Sequence, residues 1–402
     1  MMPKSLDQGG VTTPRGFQAA GVHAGVYSDP DRKDLALVYS ESPASAAAVY
    51  TSNRVQAAPI AVDRQHLKDG LARAVILNSG NANACTGAQG LADARRMCEL
   101  AGQPLGIDAD EVLVCSTGLI GATLPMGAIE GAVPAVVQAL SPEGGGDAAE
   151  AIMTTDTFAK SCAVELEADR VTFRVGAMAK GAAMIAPNMA TMLCVVTTDA
   201  AMAPAPLKEI LADAVSRTFN CITVDGDMST NDTVLLLANG LAGTKPDSVQ
   251  LRERLSNGVE WVCRHLAKAI ARDGEGATKL ISIRVKGART DLEARTVGLA
   301  VANSNLVKTA VFGRDPNWGR ILCAVGYSGV DLDPDRVEVK LCGSAIYSDG
   351  AGLDVDAEEL ARAMEADEIP IEIDLSTGSS TAEIFTCDLT DEYVRLNAEY
   401  TT

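Results

Sequence analysis

The sequence predicts a mixed α/β fold, because short apolar runs that suit buried strands alternate with segments whose apolar residues recur every three or four positions. The chain has 402 residues, of which 47% are hydrophobic and 22% charged. This composition provides a sizeable core and excludes disorder as the main state, and the length fits one large unit or two domains of ordinary size. No internal repeat and no low-complexity segment interrupts the alternation.

Five segments carry the spacing or the end signals of helices. The clearest is 251–272, where leucine, valine and isoleucine residues recur on one face. A second predicted helix, over 206–219, has proline in its first turn, where no helical N–H is lost. The other predicted helices are 88–101, 129–140 and one that follows the glycine-rich stretch at 143–147 and runs through Met153.

Aliphatic runs bounded by turn residues predict the strands. They lie at 74–77, 112–115, 280–285, 321–325, 337–341, 369–375 and 382–387. A further strand begins at Met192, directly after a Pro-Asn turn at 187–188.

The charge pattern argues against two kinds of partner. Acidic side chains outnumber basic ones by 53 to 34, for a formal charge of −19, and no run of lysine or arginine occurs. We therefore expect neither a nucleic acid nor an anionic membrane as a partner. The N-terminal residues lack the apolar middle of a signal peptide, and no apolar run approaches the ~18 residues that cross a bilayer, so we expect a cytoplasmic protein.

Neither the histidines nor the cysteines form a pattern that suits a metal. His23, His66 and His265 are far apart in sequence, and the ten cysteines include no CxxC pair. We expect reduced, mostly buried thiols, and neither a metal nor another cofactor. A catalytic base would have to come from some group other than a local histidine pair.

Thr191 occupies an unusual place, between the Pro-Asn turn and the apolar strand that begins at Met192. The simplest interpretation is a β-branched residue that starts a strand. The chemical alternative is a nucleophile whose own α-amine serves as base once the preceding peptide bond is cut. An α-amine titrates near ~7.7 to 8, so a useful fraction is neutral at cytosolic pH.

Eight segments in a fixed order carry a resemblance that extends from Gly9 to Thr402. They are NSGNANACTG (78–87), CSTGLIG (115–121), MTTDTF (153–158), KGAAMIAPNMATML (180–193), TVDGDMSTNDT (223–233), DGEGATK (273–279), GRDPNWGR (313–320) and NAEYTT (397–402). Together they resemble the ornithine acetyltransferases of arginine biosynthesis, also called glutamate N-acetyltransferases. The resemblance implies a layered, two-lobed α/β fold that is shared with self-processing aminopeptidases.

The resemblance also implies that the precursor cuts itself between Ala190 and Thr191. This leaves an α chain, 1–190, and a β chain, 191–402, which assemble as a heterotetramer of two α and two β chains or a larger oligomer. Thr191 would take the acetyl group of N-acetylornithine as an ester and pass it to glutamate, in a ping-pong scheme. Some members of the family also use acetyl-CoA as the donor, and the sequence does not separate the two kinds.

The remaining site residues follow from the resemblance as well. The Thr117 hydroxyl and the Gly118 N–H would form an oxyanion hole, in which each donor contributes about 3 kcal/mol. Without the resemblance, Ser-Thr-Gly after a strand is simply a turn. The residues implied to bind substrate are Thr154, Thr155, Lys180, Thr191, Glu275, Asn397 and Thr402; the choice between Thr154 and Thr155 stays open. Thr402 would require a packed C-terminus.

Two alternative functions stay open, and two tempting motifs are discounted. Attack of water on the same ester would make the protein an amidase or aminopeptidase, and an uncut chain would be a non-catalytic binding protein.

The acidic stretch 225–232 resembles a calcium loop, but it lacks the glycine at the sixth place and has Leu236 where the bidentate glutamate belongs. The segment 313–319 matches no nucleotide-binding loop, and we expect a rigid turn there that could lie near the site.

Overall fold

A computed structural model describes residues 3–186 and 192–399. The strands are β1 (Lys4–Leu6), β2 (Phe17–Val22), β3 (Leu35–Tyr50), β4 (Leu71–Asn78), β5 (Val112–Ser116), β6 (Lys160–Ala168), β7 (Val171–Lys180), β8 (Leu193–Thr198), β9 (Thr233–Ala238), β10 (Leu280–Ala288), β11 (Glu338–Leu341), β12 (Ser344–Ser348), β13 (Ala351–Gly352), β14 (Glu368–Asp374) and β15 (Ser380–Cys387). The helices are α1 (Ala58–His66), α2 (Gly87–Leu105), α3 (Met126–Gln138), α4 (Gly145–Ala151), α5 (Pro204–Arg217), α6 (Val249–Arg272), α7 (Asp291–Ala302), α8 (Asn305–Phe312), α9 (Trp318–Gly326), α10 (Ala357–Ala363) and α11 (Asp391–Glu399).

The first lobe is built on a sheet with the strand order β1-β6-β7-β8-β9-β3-β4-β5, in which β2 also pairs with β3. The long strand β3 pairs with β2 over 35–40 and with β9 over 45–50, and its register with β4 shifts between Tyr39 and Ala44. The β8–β9 and β4–β5 pairs are parallel, and the other pairs of this sheet are antiparallel.

Three apolar cores arrange this lobe in layers. In the first core, helices α5 and α6 pack on strands β6 to β9. In the second core, residues of β7 to β9 pack on residues of β3 to β5. In the third core, helices α1 to α3 pack on the other face of β3 to β5. The two halves of this one sheet therefore face each other, and helices cover the outer face of each half. Alternate residues of β9 belong to different cores, which explains why this strand is an unbroken apolar run.

The second lobe is a sheet with the order β13-β12-β11-β14-β10-β15, and α7 packs on β10 and β15. Its core also contains residues of α8, α9 and α10. Ile222 bridges to Phe385 of β15, and α6 contacts β15, so the two lobes share a boundary. The expected layered, two-lobed α/β fold is confirmed.

Most of the predicted elements exist, with bounds shifted by a few residues. The predicted helices correspond to α2, α3, α4, α5 and α6, and strands occur at all the predicted places but one. The strand predicted at 321–325 is wrong, because this segment lies inside α9. A short apolar run does not separate strand from helix. Ile321, Ala324 and Val325 are buried at helical spacing, and the Asn317 side chain caps the helix by accepting the Arg320 N–H.

Candidate active site

A cavity of about 390 Å³ opens where several elements of the first lobe end. Thr117 and Gly118 follow β5, Lys180 ends β7, and the segment 225–231 precedes β9. Glu275, which follows α6, and Asn397 of α11 complete the wall. The chain thus brings residues that are distant in sequence to one place, because strand ends of neighbouring strands meet at a sheet edge.

Seven of the residues singled out in the sequence line this cavity: Thr117, Gly118, Thr154, Thr155, Lys180, Glu275 and Asn397. Ala190, Thr191 and Thr402 lie outside the described residues. Both threonines at 154 and 155 line the cavity, and the Thr154 hydroxyl accepts a hydrogen bond from Lys180. The segment 313–319 instead joins α8 to α9 in the second lobe and does not line the cavity, so our expectation that it could lie near the site is wrong.

Lys180 connects two walls of the cavity. Its buried ammonium lies 2.6 Å from the Thr154 hydroxyl and 3.4 Å from the Thr117 hydroxyl. Burial lowers the pKa of Lys180, whereas the Asp156 carboxylate at 3.9 Å raises it in part. An ammonium only donates hydrogen bonds, so both hydroxyl oxygens accept and their hydrogens remain available to a ligand.

Below Lys180 lies a buried network of charges. The Lys160 ammonium pairs with Asp156 at 2.7 Å and with Asp273, which connects the 154–156 loop to the end of α6. Burial alone would raise the pKa of Asp156, but Lys180, Lys160 and the Gly181 N–H together lower it to about 2. Asp156 also accepts the Thr154 N–H at 3.0 Å and so orders the wall that Lys180 contacts.

Gly118 lies directly against another stretch of backbone. Its φ is +132°, and a Cβ built there would lie 2.3 Å from the Gly80 carbonyl carbon and 2.6 Å from the Asn81 nitrogen. Thr117 donates its N–H to Asn78 O at 3.0 Å. These contacts hold the turn after β5 against the 78–81 segment, so that only glycine fits at 118.

Glu275 and Asn397 form a further part of the cavity wall. The Asn397 amide donates to the Glu275 carboxylate at 2.8 Å, and the Glu275 N–H donates to Ala182 O at 2.9 Å. Tyr393 of α11 also lines the cavity, and its burial together with Asp225 and other nearby carboxylates raises its pKa to about 12. The Tyr393 phenol is therefore neutral. The carboxylates of Glu275 and Asp225 give this part of the cavity hydrogen-bond acceptors that suit a cation.

The stretch that the sequence analysis discounted as a calcium loop contributes to the site in another way. Asp225 accepts the N–H groups of Met184 at 2.6 Å and Ile185 at 2.9 Å. The Asn231 amide donates to Ala82 O at 2.6 Å and to Ser116 O at 2.8 Å. Sequence reasoning assigned no role to these side chains, although TVDGDMSTNDT is one of the segments that carry the resemblance.

The histidines have structural contacts away from the cavity. His66 is buried with its Nδ1 2.8 Å from Val112 O, and His265 stacks on Trp261. All ten cysteines are unpaired thiols. In the part of the chain that the structure describes, no group of three or more His, Cys, Asp or Glu side chains is arranged to hold a metal ion. No helix among these residues is long and apolar enough to cross a membrane.

Comparisons with known proteins give the class of this chain. The ArgJ family matches residues 18–402. The arginine biosynthesis bifunctional protein ArgJ of Symbiobacterium thermophilum is 52% identical over 398 residues, which cover 98% of this chain and 99% of that protein. The glutamate N-acetyltransferase of Methanocaldococcus jannaschii is 48% identical over 407 residues, which cover 98% and 99%.

A crystal structure of ArgJ from Bacillus halodurans supports the same fold. It matches with a TM-score of 0.50 and 41% identity, over 51% of this chain and 98% of the crystallised chain. Fold, cavity and relatives together define an enzyme of the acyltransferase class. The chain belongs to the ArgJ family.

Proposed function

We propose that this protein transfers the acetyl group of N-acetylornithine to glutamate in the cytoplasm, through an ester on Thr191. The observation that carries the proposal is the single cavity that gathers Thr117, Gly118, Lys180, Glu275 and Asn397. Four separate parts of the chain supply these residues, and no local sequence constraint brings them together. A substrate site requires such residues to lie close together around one cavity.

The cavity also lies beside the chain that leads into and out of 187–191. On one side, Asp225 binds the N–H groups of Met184 and Ile185. On the other side, Asp232 accepts the Met192 N–H at 3.1 Å. Two carboxylates of one segment therefore anchor both flanks of the proposed nucleophile, which supports its use at this cavity.

The proposal includes self-cleavage between Ala190 and Thr191, which leaves chains 1–190 and 191–402. The Bacillus halodurans crystal structure supports it, because 98% of that crystallised chain corresponds to about half of this one. The Symbiobacterium relative, by contrast, aligns over nearly the whole chain. We expect the two kinds of chain to remain together as a heterotetramer or a larger assembly, since both contribute residues to the cavity.

The chemistry follows from the geometry of the walls. The Thr191 hydroxyl attacks the acetyl carbonyl while the Thr191 α-amine takes its proton. Thr117 O–H and Gly118 N–H donate to the oxyanion that forms, and each such donor contributes about 3 kcal/mol. Lys180 donates to Thr117 Oγ1, which leaves the Thr117 hydrogen for the oxyanion and makes it a stronger donor.

The charges of the two walls fit the donor substrate. N-acetylornithine carries a carboxylate at one end and an ammonium at the other. Lys180 and the Thr154 hydroxyl suit the carboxylate, whereas Glu275 and Asp225, which also line the cavity, suit the ammonium. When the tetrahedral adduct collapses, its C–N bond breaks and the leaving amine of ornithine takes the proton that the Thr191 α-amine had accepted. The amine of glutamate then attacks the acetyl ester, the bond to Thr191 Oγ1 breaks, and the proton of the attacking amine returns to the Thr191 hydroxyl through the α-amine.

Intact mass measurement tests the cleavage. The purified protein should consist of two fragments, of which the second begins at Thr191. Thr191→Ala should give one uncut chain without transferase activity, because it removes the hydroxyl that both steps use. The same variant should still unfold cooperatively on heating, which shows that it is folded. Acetyl transfer at the normal rate by Thr191→Ala would contradict the proposal.

An acceptor assay tests the reaction itself. Ornithine release from N-acetylornithine should accelerate when glutamate is added, with one N-acetylglutamate formed for each ornithine. Release at the same rate without glutamate would instead indicate a hydrolase. A parallel assay with acetyl-CoA and glutamate decides whether this protein also uses the second donor.

A further inference from the structure

Lys308 is a buried lysine of the second lobe that the proposed mechanism does not use. It lies on α8 with 3% of its surface exposed, and its ammonium donates to Val224 O at 2.7 Å, Thr386 Oγ1 at 3.1 Å and Cys387 Sγ at 3.6 Å. Burial raises the pKa of the Cys387 thiol, and Lys308 lowers it only in part. The ammonium hydrogens are therefore donated to uncharged groups.

The contact between Lys308 and Val224 joins the two lobes. Thr386 and Cys387 belong to β15 of the second lobe, whereas Val224 belongs to the chain between α5 and β9 of the first lobe. A charge is costly to bury unless hydrogen bonds compensate for its lost hydration, and an aliphatic side chain would avoid this cost. The use of a lysine at this position therefore lies in what its ammonium holds.

The Val224 carbonyl belongs to the peptide unit that leads to Asp225. A peptide unit is planar, so a fixed Val224 oxygen also fixes the position of the Asp225 nitrogen. On its other side, the Val224 N–H donates to Ile185 O at 2.8 Å. Lys308 and Ile185 therefore hold Val224 from two sides, which fixes the orientation of the backbone that enters Asp225.

Asn303, which follows α7, adds a second contact from the second lobe to the same segment. The Thr223 hydroxyl lies 2.7 Å from Asn303 Oδ1, and the Thr223 N–H donates to Phe385 O of β15 at 3.1 Å. A Cβ built on Gly226 would lie 3.6 Å from the same Asn303 oxygen. Asn303 therefore lies beside residues on either side of the 224–225 peptide unit.

Asp225 lines the cavity and retains acceptor capacity. Its carboxylate accepts the N–H groups of Met184 at 2.6 Å, Ile185 at 2.9 Å and Asp227 at 3.1 Å. The two oxygens of a carboxylate offer about four lone-pair positions, so capacity remains for a ligand. The placement of Asp225 therefore determines whether a cationic group in the cavity meets a carboxylate there.

We propose, on the basis of the function proposed above, that Lys308 and Asn303 are positioning residues for the donor substrate. From the second lobe they hold the 223–225 segment so that the Asp225 carboxylate meets the side-chain ammonium of N-acetylornithine. The second lobe thereby controls one charged group of the cavity. The side chain of glutamate ends in a carboxylate, so the binding of glutamate does not depend on this contact.

The two half-reactions of a ping-pong enzyme separate these effects. The kcat/KM for N-acetylornithine reports acetylation of the enzyme, and the kcat/KM for glutamate reports transfer to the acceptor. Lys308→Met keeps a side chain of similar length without its hydrogens and should lower the first value about tenfold. Asn303→Ala should lower it about threefold. Both variants should keep the value for glutamate within about twofold of the wild type.

Thr386→Val is the matched control. It removes an acceptor from the same ammonium but leaves the bond from Lys308 to Val224 in place. Urea unfolding should show lower stability in this variant, whereas both kcat/KM values should remain those of the wild type. A purely structural role of Lys308 would lower both values in Lys308→Met, or would lower the N-acetylornithine value equally in Thr386→Val. Either result would overturn the proposal.

A double variant tests whether Lys308 acts through Asp225. Asp225→Asn should lower kcat/KM for N-acetylornithine at least as much as Lys308→Met does, because the charge itself is lost. The protein with both changes should be no less active than Asp225→Asn alone, since no carboxylate is left to misplace. Effects of the two changes that multiply would contradict the proposal.

Asn303→Ala keeps the proposal testable if Lys308→Met does not fold. Asn303 is exposed, so we expect its alanine variant to fold. A wild-type kcat/KM for N-acetylornithine in this variant would overturn the proposal. Failure of the proposed function is distinguished separately, because the wild-type protein itself would then show no acceleration of ornithine release by glutamate.

Discussion

The Lys180 ammonium lies 3.4 Å from the hydroxyl oxygen of Thr117. This contact joins the end of β7 to the turn after β5, and it determines which way the Thr117 hydroxyl acts. Because Lys180 supplies only hydrogens, Thr117 Oγ1 is the acceptor and its own hydrogen is free to point into the cavity. The proposed oxyanion role of Thr117 would therefore depend on a residue 63 positions away in sequence.

Removal of the Thr117 hydroxyl tests that role. Thr117→Ala should lower kcat for acetyl transfer by about 10² to 10³, because one oxyanion donor is lost. Thr117→Ser keeps a hydroxyl at the same place and should retain most of the activity. Steady-state kinetics with N-acetylornithine and glutamate make the comparison, and equal rates for the alanine and serine variants would contradict it.

Gly118 should tolerate no side chain. Gly118→Ala places a Cβ 2.3 Å from the Gly80 carbonyl carbon, which is backbone and cannot rotate away. We expect loss of stability by at least about 2 kcal/mol and loss of transfer, since the turn must move. Gly121→Ala is the control, because Gly121 also has a positive φ but a Cβ added there would meet nothing within 4 Å. Urea unfolding measures both, and equal effects would contradict the clash.

Sequence reasoning succeeded where the pattern was local. Residues 251–272 show helical periodicity, and α6 occupies nearly that range. It failed at 321–325, where five apolar residues fit either state and the Asn317 cap decides for a helix. In the site, only the resemblance pointed to Lys180 and Glu275. As isolated residues, Lys180 would be interpreted as a surface charge and Glu275 as a turn residue. The Lys160–Asp273 pair spans 113 positions, and no single sequence reveals such a contact.

The Glu275 carboxylate should contribute more to the binding of N-acetylornithine than to the binding of glutamate. Glu275→Gln removes the negative charge but keeps an oxygen that Asn397 can donate to. We expect KM for N-acetylornithine to rise about tenfold or more, because the substrate ammonium loses a charged partner. Glu399→Gln, an exposed change on α11, should leave KM unchanged. An unchanged KM in Glu275→Gln would show that the ammonium binds elsewhere.

The buried network below Lys180 should make stability depend on pH in the acid range. The pKa of Asp156 is lowered to about 2 in the folded protein, below its unfolded value near ~3.9. A depressed carboxyl pKa contributes stability that is complete above the unfolded pKa and is lost as pH falls through the folded one. Asp156 should therefore contribute about 2 kcal/mol at pH 5, and most of this contribution should be lost by about pH 2, with the rest lost below it.

Urea unfolding of Asp156→Asn between pH 5 and pH 2 measures this contribution. At pH 5 the variant should be the less stable protein, because Lys160 and Lys180 lose the carboxylate between them. The difference from the wild type should shrink as pH falls, since protonation neutralises Asp156 in the wild type as well. Asp7→Asn, an exposed aspartate outside the network, should show no such convergence. A difference that stays constant from pH 5 to pH 2 would mean that the stability of the network does not depend on the Asp156 charge.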